Sequence, residues 1–166
     1  LLFFEALLPS LPDLVIPLAP PSRRPLLVYT DASFWLKRTR TRVCGSADEP
    51  IHRRLRGGMG VVVYDPEDDT IRYALGKPDW AVLLAQWPRD RKTYIAQLEA
   101  LAALSAYFTY PALFAGRSVN HFIDNTVALS AFVHGYSGKA DLAKMVILFY
   151  IQAAGLGTHV YFDYVP

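Results

Sequence analysis

Five short runs rich in β-branched and aromatic residues are the feature that most limits how this chain can fold. These predicted strands lie at residues 26–33, 61–65, 70–76, 118–124 and 158–166. The turn residues 66–69 join the second and third strands into a hairpin. Apolar residues recur at helical spacing within residues 93–110, 125–134 and 141–154, whereas residues 77–92 are predicted to be irregular. The order β-β-β-α-β-α-α-β predicts an α/β domain with a mixed five-stranded sheet and helices on its faces.

Composition supports one folded domain and excludes several classes of protein. The chain has 166 residues, of which 52% are hydrophobic and 19% charged, so it can bury a real core. The single cysteine, Cys44, excludes an internal disulfide framework and a cysteine-rich zinc site, and fits a reducing intracellular compartment, cytoplasmic or nuclear. No apolar stretch reaches the roughly 18 residues of a membrane span.

The N-terminal segment is predicted to lie outside the domain. Residues 9–25 contain six prolines, which favour an extended linker, and the folded part is predicted to begin at Leu26. The preceding LLFFEALL lacks the basic flank and cleavage site of a signal peptide. We therefore expect residues 1–25 to connect the domain to an upstream one.

The charge of the chain is concentrated in one segment. The net charge is only +2, but residues 35–56 hold seven basic and two acidic side chains, so this segment carries +5 and the rest −3. The seven basic residues are Lys37, Arg38, Arg40, Arg42, Arg53, Arg54 and Arg56. Such an insertion between two strands is suited to contacting a phosphate backbone, and a solvated loop is the alternative.

Three acidic residues lie where folding alone does not explain them. Asp31 ends the first predicted strand, Glu99 lies within the first long helix, and Asp124 ends the fourth strand. The helical neighbours of Glu99 at three and four residues are apolar, and none is basic, so a buried Glu99 would need a cation from elsewhere. The alternatives are an Asx turn at Asp31, a solvent-exposed Glu99 and a helix N-cap at Asp124.

If these carboxylates converge, their chemistry favours a hard cation. Carboxylate oxygens without histidine or cysteine suit Mg²⁺ or Mn²⁺. Two such ions held close together can activate a water molecule and stabilise the leaving oxygen in phosphodiester cleavage. The sequence therefore predicts a metal site at Asp31, Glu99 and Asp124.

The motifs YTDAS, QLEALAAL and FIDNTVAL, in this order, resemble the ribonuclease H domain of retroelement reverse transcriptase polyproteins. The resemblance covers residues 26–166. It implies a ribonuclease H-like fold and an endonuclease that cuts the RNA strand of RNA/DNA hybrids with two Mg²⁺ ions, or Mn²⁺, and a polymerase domain upstream. It assigns catalysis and metal binding to Asp31, Glu99 and Asp124. The order Asp-Glu-Asp differs from the Asp-Asp-Glu order of integrases.

The sequence departs from the family pattern after the fifth strand. The family normally supplies a fourth carboxylate there, at the start of a last helix, but this chain ends at Pro166. Asp141 and Asp163 do not match that position. A degenerate ribonuclease H-like module that binds nucleic acid or serves as a scaffold without cutting is therefore the alternative, and residues beyond Pro166 would discriminate between the two.

Several polar and aromatic residues are secondary candidates. Ser33 and Asn125 flank the carboxylates and could orient a ligand or contact the 2′-hydroxyl that distinguishes RNA from DNA. Trp35 and Trp80 could stack on bases, but packing in the core is the more common role of tryptophan. His121 and His134 lack the spacing of metal ligands and are interpreted as packing residues.

Overall fold

The computed structural model describes residues 23–36, 55–88 and 92–166. Its strands are β1 (Leu26–Leu36), β2 (Leu55–Asp65), β3 (Thr70–Gly76), β4 (Ser118–Ile123) and β5 (His159–Tyr164). Its helices are α1 (Trp80–Gln86), α2 (Ile95–Thr109), α3 (Pro111–Phe114), α4 (Thr126–His134) and α5 (Ala140–Gly155). Nearly all of the predicted linker, and residues 37–54 of the basic segment between β1 and β2, lie outside the described residues.

The five strands form one mixed sheet in the order β3-β2-β1-β4-β5. β1 pairs antiparallel with β2, and β2 with β3, whereas β4 runs parallel to both β1 and β5. The hairpin and the helical crossovers predicted from the sequence explain this combination, because a parallel pair requires a long connection. The structure confirms the predicted mixed α/β sheet.

The described helices pack against one face of the sheet, and the alternation of side chains along the strands shows which face it is. Val28 in β1 and Val63 in β2 are paired and fully buried. Their neighbours Tyr29 and Val62 point the other way and are 40% and 41% exposed. Among the described residues, no helix is long and apolar enough to cross a membrane.

The first two strands are longer than the sequence predicted. β1 and β2 continue past Asp31 as far as the pair Leu36 and Leu55, so Asp31 lies inside β1 and pairs with Gly60. The prediction that Asp31 ends its strand is therefore wrong, as is the alternative of an Asx turn there. Glycines at positions 57, 58 and 60 have low strand propensity, which concealed this half of β2 in the sequence.

Two short helices were also missed. Residues 77–92 were predicted to be irregular, but they contain α1, where Asp79 is the N-cap and its carboxylate accepts hydrogen bonds from the amides of Ala81 and Val82. α2 ends before Pro111 as predicted, and α3 follows at once with that proline in its first turn. Trp80 in α1 is buried against Phe34, which makes it a packing residue.

A buried ion pair joins β2 to the start of β4. The Arg117 guanidinium donates hydrogen bonds of 3.0 Å to each carboxylate oxygen of Asp65, and both residues are almost fully buried. Arg117 also donates to the carbonyl of Arg24, where the chain enters β1. The guanidinium lowers the pKa of Asp65 below its usual value. This pair fixes the end of the sheet at which β1 and β4 begin.

Candidate metal centre

The parallel pairing of β1 and β4 brings two of the three predicted carboxylates together. The pairing runs from Leu26 and Val119 to Thr30 and Ile123, and Asp31 and Asp124 are the next residues in each chain segment. Both side chains are exposed. Glu99 approaches from α2, and one oxygen from each of the three carboxylates lies within 4.8 Å of the others. Residues 31, 99 and 124 thus form one acidic cluster.

Glu99 is held in the cluster by a backbone hydrogen bond. The Ala32 amide donates to Glu99 Oε1 over 2.9 Å, and Glu99 is only 1% exposed. The absence of a side chain at Gly57 permits this approach, since an added Cβ would lie 2.8 Å from the Ser33 carbonyl and 3.1 Å from Leu98 of α2. The alternative of a solvent-exposed Glu99 is therefore wrong.

The electrostatics of Glu99 are those of an acid that lacks a counter-ion. The pKa of Glu99 is raised from 4.5 to about 8. Burial is the main cause, the negative charges of Asp124 and Asp31 add to it, and the hydrogen bond from the Ala32 amide opposes it. Glu99 Oε2 is buried and makes no hydrogen bond within the described part of the chain. A bound cation would satisfy this oxygen and offset the repulsion among the three acids.

Asp124 does not cap the following helix. The N-cap of α4 is Asn125, whose side-chain oxygen accepts hydrogen bonds from the amides of Val127 and Ala128 over 3.1 and 3.0 Å. The capping alternative for Asp124 is therefore wrong, and its carboxylate remains available to the cluster.

The donor set fits a hard divalent cation. Three carboxylates converge, two of them are open to solvent, and Mg²⁺ characteristically binds one or two carboxylates while keeping several water ligands. The buried oxygen of Glu99 is a further sign, because an unsatisfied buried acceptor costs free energy unless a partner arrives. These residues could hold a metal ion at the edge of an open groove.

That groove, of about 710 Å³, lies along β1 and β2 beside the cluster. It is lined by Asp31, Ser33, Trp35, Gly57, Gly58, Met59, Leu75 and Lys77, among others. Trp35 is 53% exposed there, unlike Trp80. Neither Lys77 nor the groove itself is predicted from the sequence. The run of glycines in β2 was the available signal, because glycine within a strand often marks the close approach of a ligand or another backbone.

The other predicted contact residues are only partly accounted for. Ser33 is exposed and lines the groove. Asn125 uses its side-chain oxygen as a helix cap. Arg56 is exposed and donates to the Leu55 carbonyl, whereas Lys37, Arg38, Arg40, Arg42, Arg53 and Arg54 lie outside the described residues.

Solved structures with the same architecture come from an archaeon, a bacterium and a virus. Ribonuclease H1 of the halophilic archaeon Halobacterium salinarum matches with a TM-score of 0.56 at 12% identity over 86% of each chain. The N-terminal ribonuclease H domain of a Mycobacterium tuberculosis protein, fused to maltose-binding protein, matches with a TM-score of 0.53 at 15% identity, over 85% of this chain and 83% of that one. The chain has a ribonuclease H-like fold.

Comparison of structures detects relatives of this fold, whereas comparison of sequences detects none. No family model matches the sequence, and no curated protein matches it with statistical significance. The ribonuclease H-like fold also matches part of the prototype foamy virus protease-reverse transcriptase, with a TM-score of 0.53 at 11% identity. That match covers 89% of this chain and 18% of the viral one. The comparisons confirm the ribonuclease H-like fold predicted from the three acidic motifs.

Proposed function

We propose that this ribonuclease H-like chain is a metal-dependent endonuclease that hydrolyses the RNA strand of RNA/DNA hybrids. The convergence of Asp31, Glu99 and Asp124 within 4.8 Å carries the proposal. The names of the similar structures support it, since two are ribonuclease H proteins and the third is a reverse transcriptase. By the same reasoning, residues 1–25 would connect the domain to a polymerase domain in a polyprotein.

The three carboxylates would have different roles in binding metal. Glu99, fixed by the Ala32 amide, is the buried anchor, and Asp31 and Asp124 present their oxygens to solvent. Divalent cations bound there, Mg²⁺ or Mn²⁺, would supply an activated water and stabilise the leaving oxygen. Because Asp31 also lines the groove along β1 and β2, a strand in that groove would present its phosphodiester to the carboxylates.

The groove offers contacts of the kind that a nucleic-acid strand requires. Lys77 can neutralise a phosphate, and the exposed ring of Trp35 can stack on a base or sugar. Ser33 can hydrogen-bond to a 2′-hydroxyl, the group by which a protein distinguishes RNA from DNA. The amide nitrogen of Asn125 and the basic side chains of residues 37–56 complete the proposed contact surface.

The test is cleavage of an end-labelled RNA/DNA hybrid in Mg²⁺ by the wild-type chain and by Asp124→Asn. We expect the substitution to reduce the cleavage rate at least about a thousandfold, which corresponds to roughly 4 kcal/mol of transition-state stabilisation. Asp163→Asn is the matched control, because Asp163 is exposed on the neighbouring strand and lies outside the cluster. Undiminished Mg²⁺-dependent cleavage by Asp124→Asn would exclude the proposed role of this residue.

The same cleavage assay, repeated with a form of the chain extended past Pro166, tests the scaffold alternative and the presence of a fourth carboxylate. Val165 and Pro166 share a groove of about 490 Å³ with Asp31 and Asp124, so residues placed after Pro166 would begin beside the cluster. Cleavage only by a form extended past Pro166 would locate a further ligand there. Hybrid binding without cleavage by both forms would support a scaffold and contradict the nuclease.

A further inference from the structure

One buried histidine, His121, contacts the three elements that supply the acidic cluster. His121 in β4 is fully buried, and its Nε2 lies 3.0 Å from the hydroxyl of Thr30 in β1. Its Nδ1 lies 3.3 Å from the hydroxyl of Tyr107 in α2. Thr30 directly precedes Asp31, and His121 is in the strand that leads to Asp124. Tyr107 lies on the same helix as Glu99, about two turns further along.

The surroundings of His121 are aromatic and keep its ring neutral. The rings of Tyr107, Phe149 and Phe162 lie around it, with centroid distances of 5.9, 6.4 and 5.3 Å. Burial lowers the pKa of His121 from 6.5 to about 3. A neutral imidazole donates from one nitrogen and accepts at the other, and the hydroxyls of Thr30 and Tyr107 can serve either role. Both nitrogens are therefore satisfied in either tautomer.

We propose that His121 is a positioning residue for the acidic cluster, acting through the hydrogen-bonded triad Thr30–His121–Tyr107. The triad joins β1, β4 and α2 through directional bonds within the core. The inference rests on the metal site of the proposed function. It assigns to the triad the task of keeping Asp31, Glu99 and Asp124 at the separation that a metal ion requires.

The physical need for such a triad follows from the repulsion among the three acids. Without a cation, like charges favour separation of β1, β4 and α2, and the hydrophobic effect that packs these elements together is non-directional. A functional site must hold its ligands to within about 0.5 Å, which directional hydrogen bonds between the supporting elements help to achieve. A leucine at position 121 would fill the space without fixing the relative positions of its neighbours.

A positioning role of the triad and a purely structural role predict different relations between stability and metal affinity. Replacing every member of a buried hydrogen-bonded group with apolar side chains of similar shape is often neutral for stability. The triple variant Thr30→Val, His121→Leu, Tyr107→Phe should therefore unfold at a similar denaturant concentration to wild type. If the triad positions the ligands, the same variant binds metal more weakly despite its retained stability. Stability and metal affinity then change independently, which a packing role does not produce.

The experiment is a titration of the metal-free full chain with Mn²⁺, in which electron paramagnetic resonance reports the free ion. We expect Thr30→Val and Tyr107→Phe each to weaken Mn²⁺ binding about tenfold, at the lower end of the effect of residues that support metal ligands. His121→Gln, which can still donate and accept, should bind more tightly than His121→Leu. The matched controls are Thr158→Val and Tyr150→Phe, which remove hydroxyls bonded to the carbonyls of Phe114 and Phe132.

The outcomes separate this inference from the proposed function. If the wild-type chain binds Mn²⁺ and the Thr30 and Tyr107 variants bind it as tightly as the two controls, the positioning role is wrong and the metal site stands. If the wild-type chain does not bind Mn²⁺ at all, the metal site fails, and the inference fails with it. The single hydroxyl deletions decide the question even if the His121 variants do not fold.

Discussion

Asp65 in β2 and Glu99 in α2 are both buried carboxylates, but the charges around them are opposite in sign. Asp65 receives two hydrogen bonds of 3.0 Å from Arg117, which lowers its pKa. Glu99 receives one backbone hydrogen bond and lies near two further acids, and its pKa is raised to about 8. Burial of an acid therefore does not by itself indicate function. The charge of its neighbours distinguishes a structural ion pair from a site prepared for a cation.

The ion pair and the acidic cluster also lie at opposite ends of the parallel pairing of β1 with β4. Asp65 ends β2 beside the start of β1, whereas the acidic cluster lies around the pair Asp31 and Gly60, roughly 17 Å back along β2 at about 3.3 Å per residue. The ion pair fixes the end at which β1 and β4 begin. The cluster lies where their parallel pairing ends, so it is open to solvent and to ligands. One end of the sheet is therefore stabilised by charge pairing, and the other carries unpaired charge.

The largest effect on stability is expected from breaking the ion pair. Arg117→Met leaves the Asp65 carboxylate buried without its partner, which should lower the free energy of unfolding by about 3–5 kcal/mol. Urea denaturation measures this loss. The double variant Asp65→Leu, Arg117→Met should recover most of it, because no uncompensated charge remains. Metal binding by the folded fraction should not change, and a parallel loss of metal affinity would show that the two ends of the sheet are coupled.

A smaller effect, an increase in the free energy of unfolding, is expected from a substitution at Glu99. Its pKa is near 8 in the folded chain and near 4.5 when unfolded, so its contribution to stability is complete below pH 4.5 and is lost as the pH rises to 8. Glu99→Gln mimics the protonated acid and should stabilise the metal-free chain by up to about 3 kcal/mol at pH 7, with no gain at pH 4.5. Denaturation in a chelating buffer at both pH values measures this difference. Destabilisation at pH 7 would contradict the interpretation of an uncompensated acid.

The smallest effect on stability is expected at two adjacent residues, Asp124 and Asn125, which should respond differently. Asn125→Ala removes the cap of α4 and should cost about 1 kcal/mol of stability. Asp124→Asn should cost none in a metal-free buffer, because Asp124 is exposed and its charge repels Glu99. With Mg²⁺, Asp124→Asn should lose the stabilisation that the bound ion gives, whereas Asn125→Ala should keep it. Thermal unfolding with and without Mg²⁺ checks both statements, and a stability loss in metal-free Asp124→Asn would assign it a structural role.

The sequence predicted the sheet and the three acids because both depend on local patterns. Alternating and β-branched runs identify strands, and the neighbours of Glu99 along the helix already lacked a cation. What the sequence did not predict depends on contacts between distant residues. The extension of β2 requires glycines 57, 58 and 60 to pair with β1, and the pairing of Asp65 with Arg117 joins residues far apart in the chain. His121 was interpreted as packing because only the fold brings Thr30 and Tyr107 to its ring.

Calorimetric titration of the metal-free chain with Mg²⁺ tests directly whether Asp31, Glu99 and Asp124 form a metal site. The wild-type chain should bind Mg²⁺ saturably, Asp163→Asn should bind it equally well, and Asp124→Asn should bind it at least about tenfold more weakly. Mg²⁺ should also increase the melting temperature of the wild-type chain and not that of Glu99→Gln. Equal binding by the wild-type chain and Asp124→Asn, or no saturable binding by the wild-type chain, would show that these three carboxylates do not form a metal site.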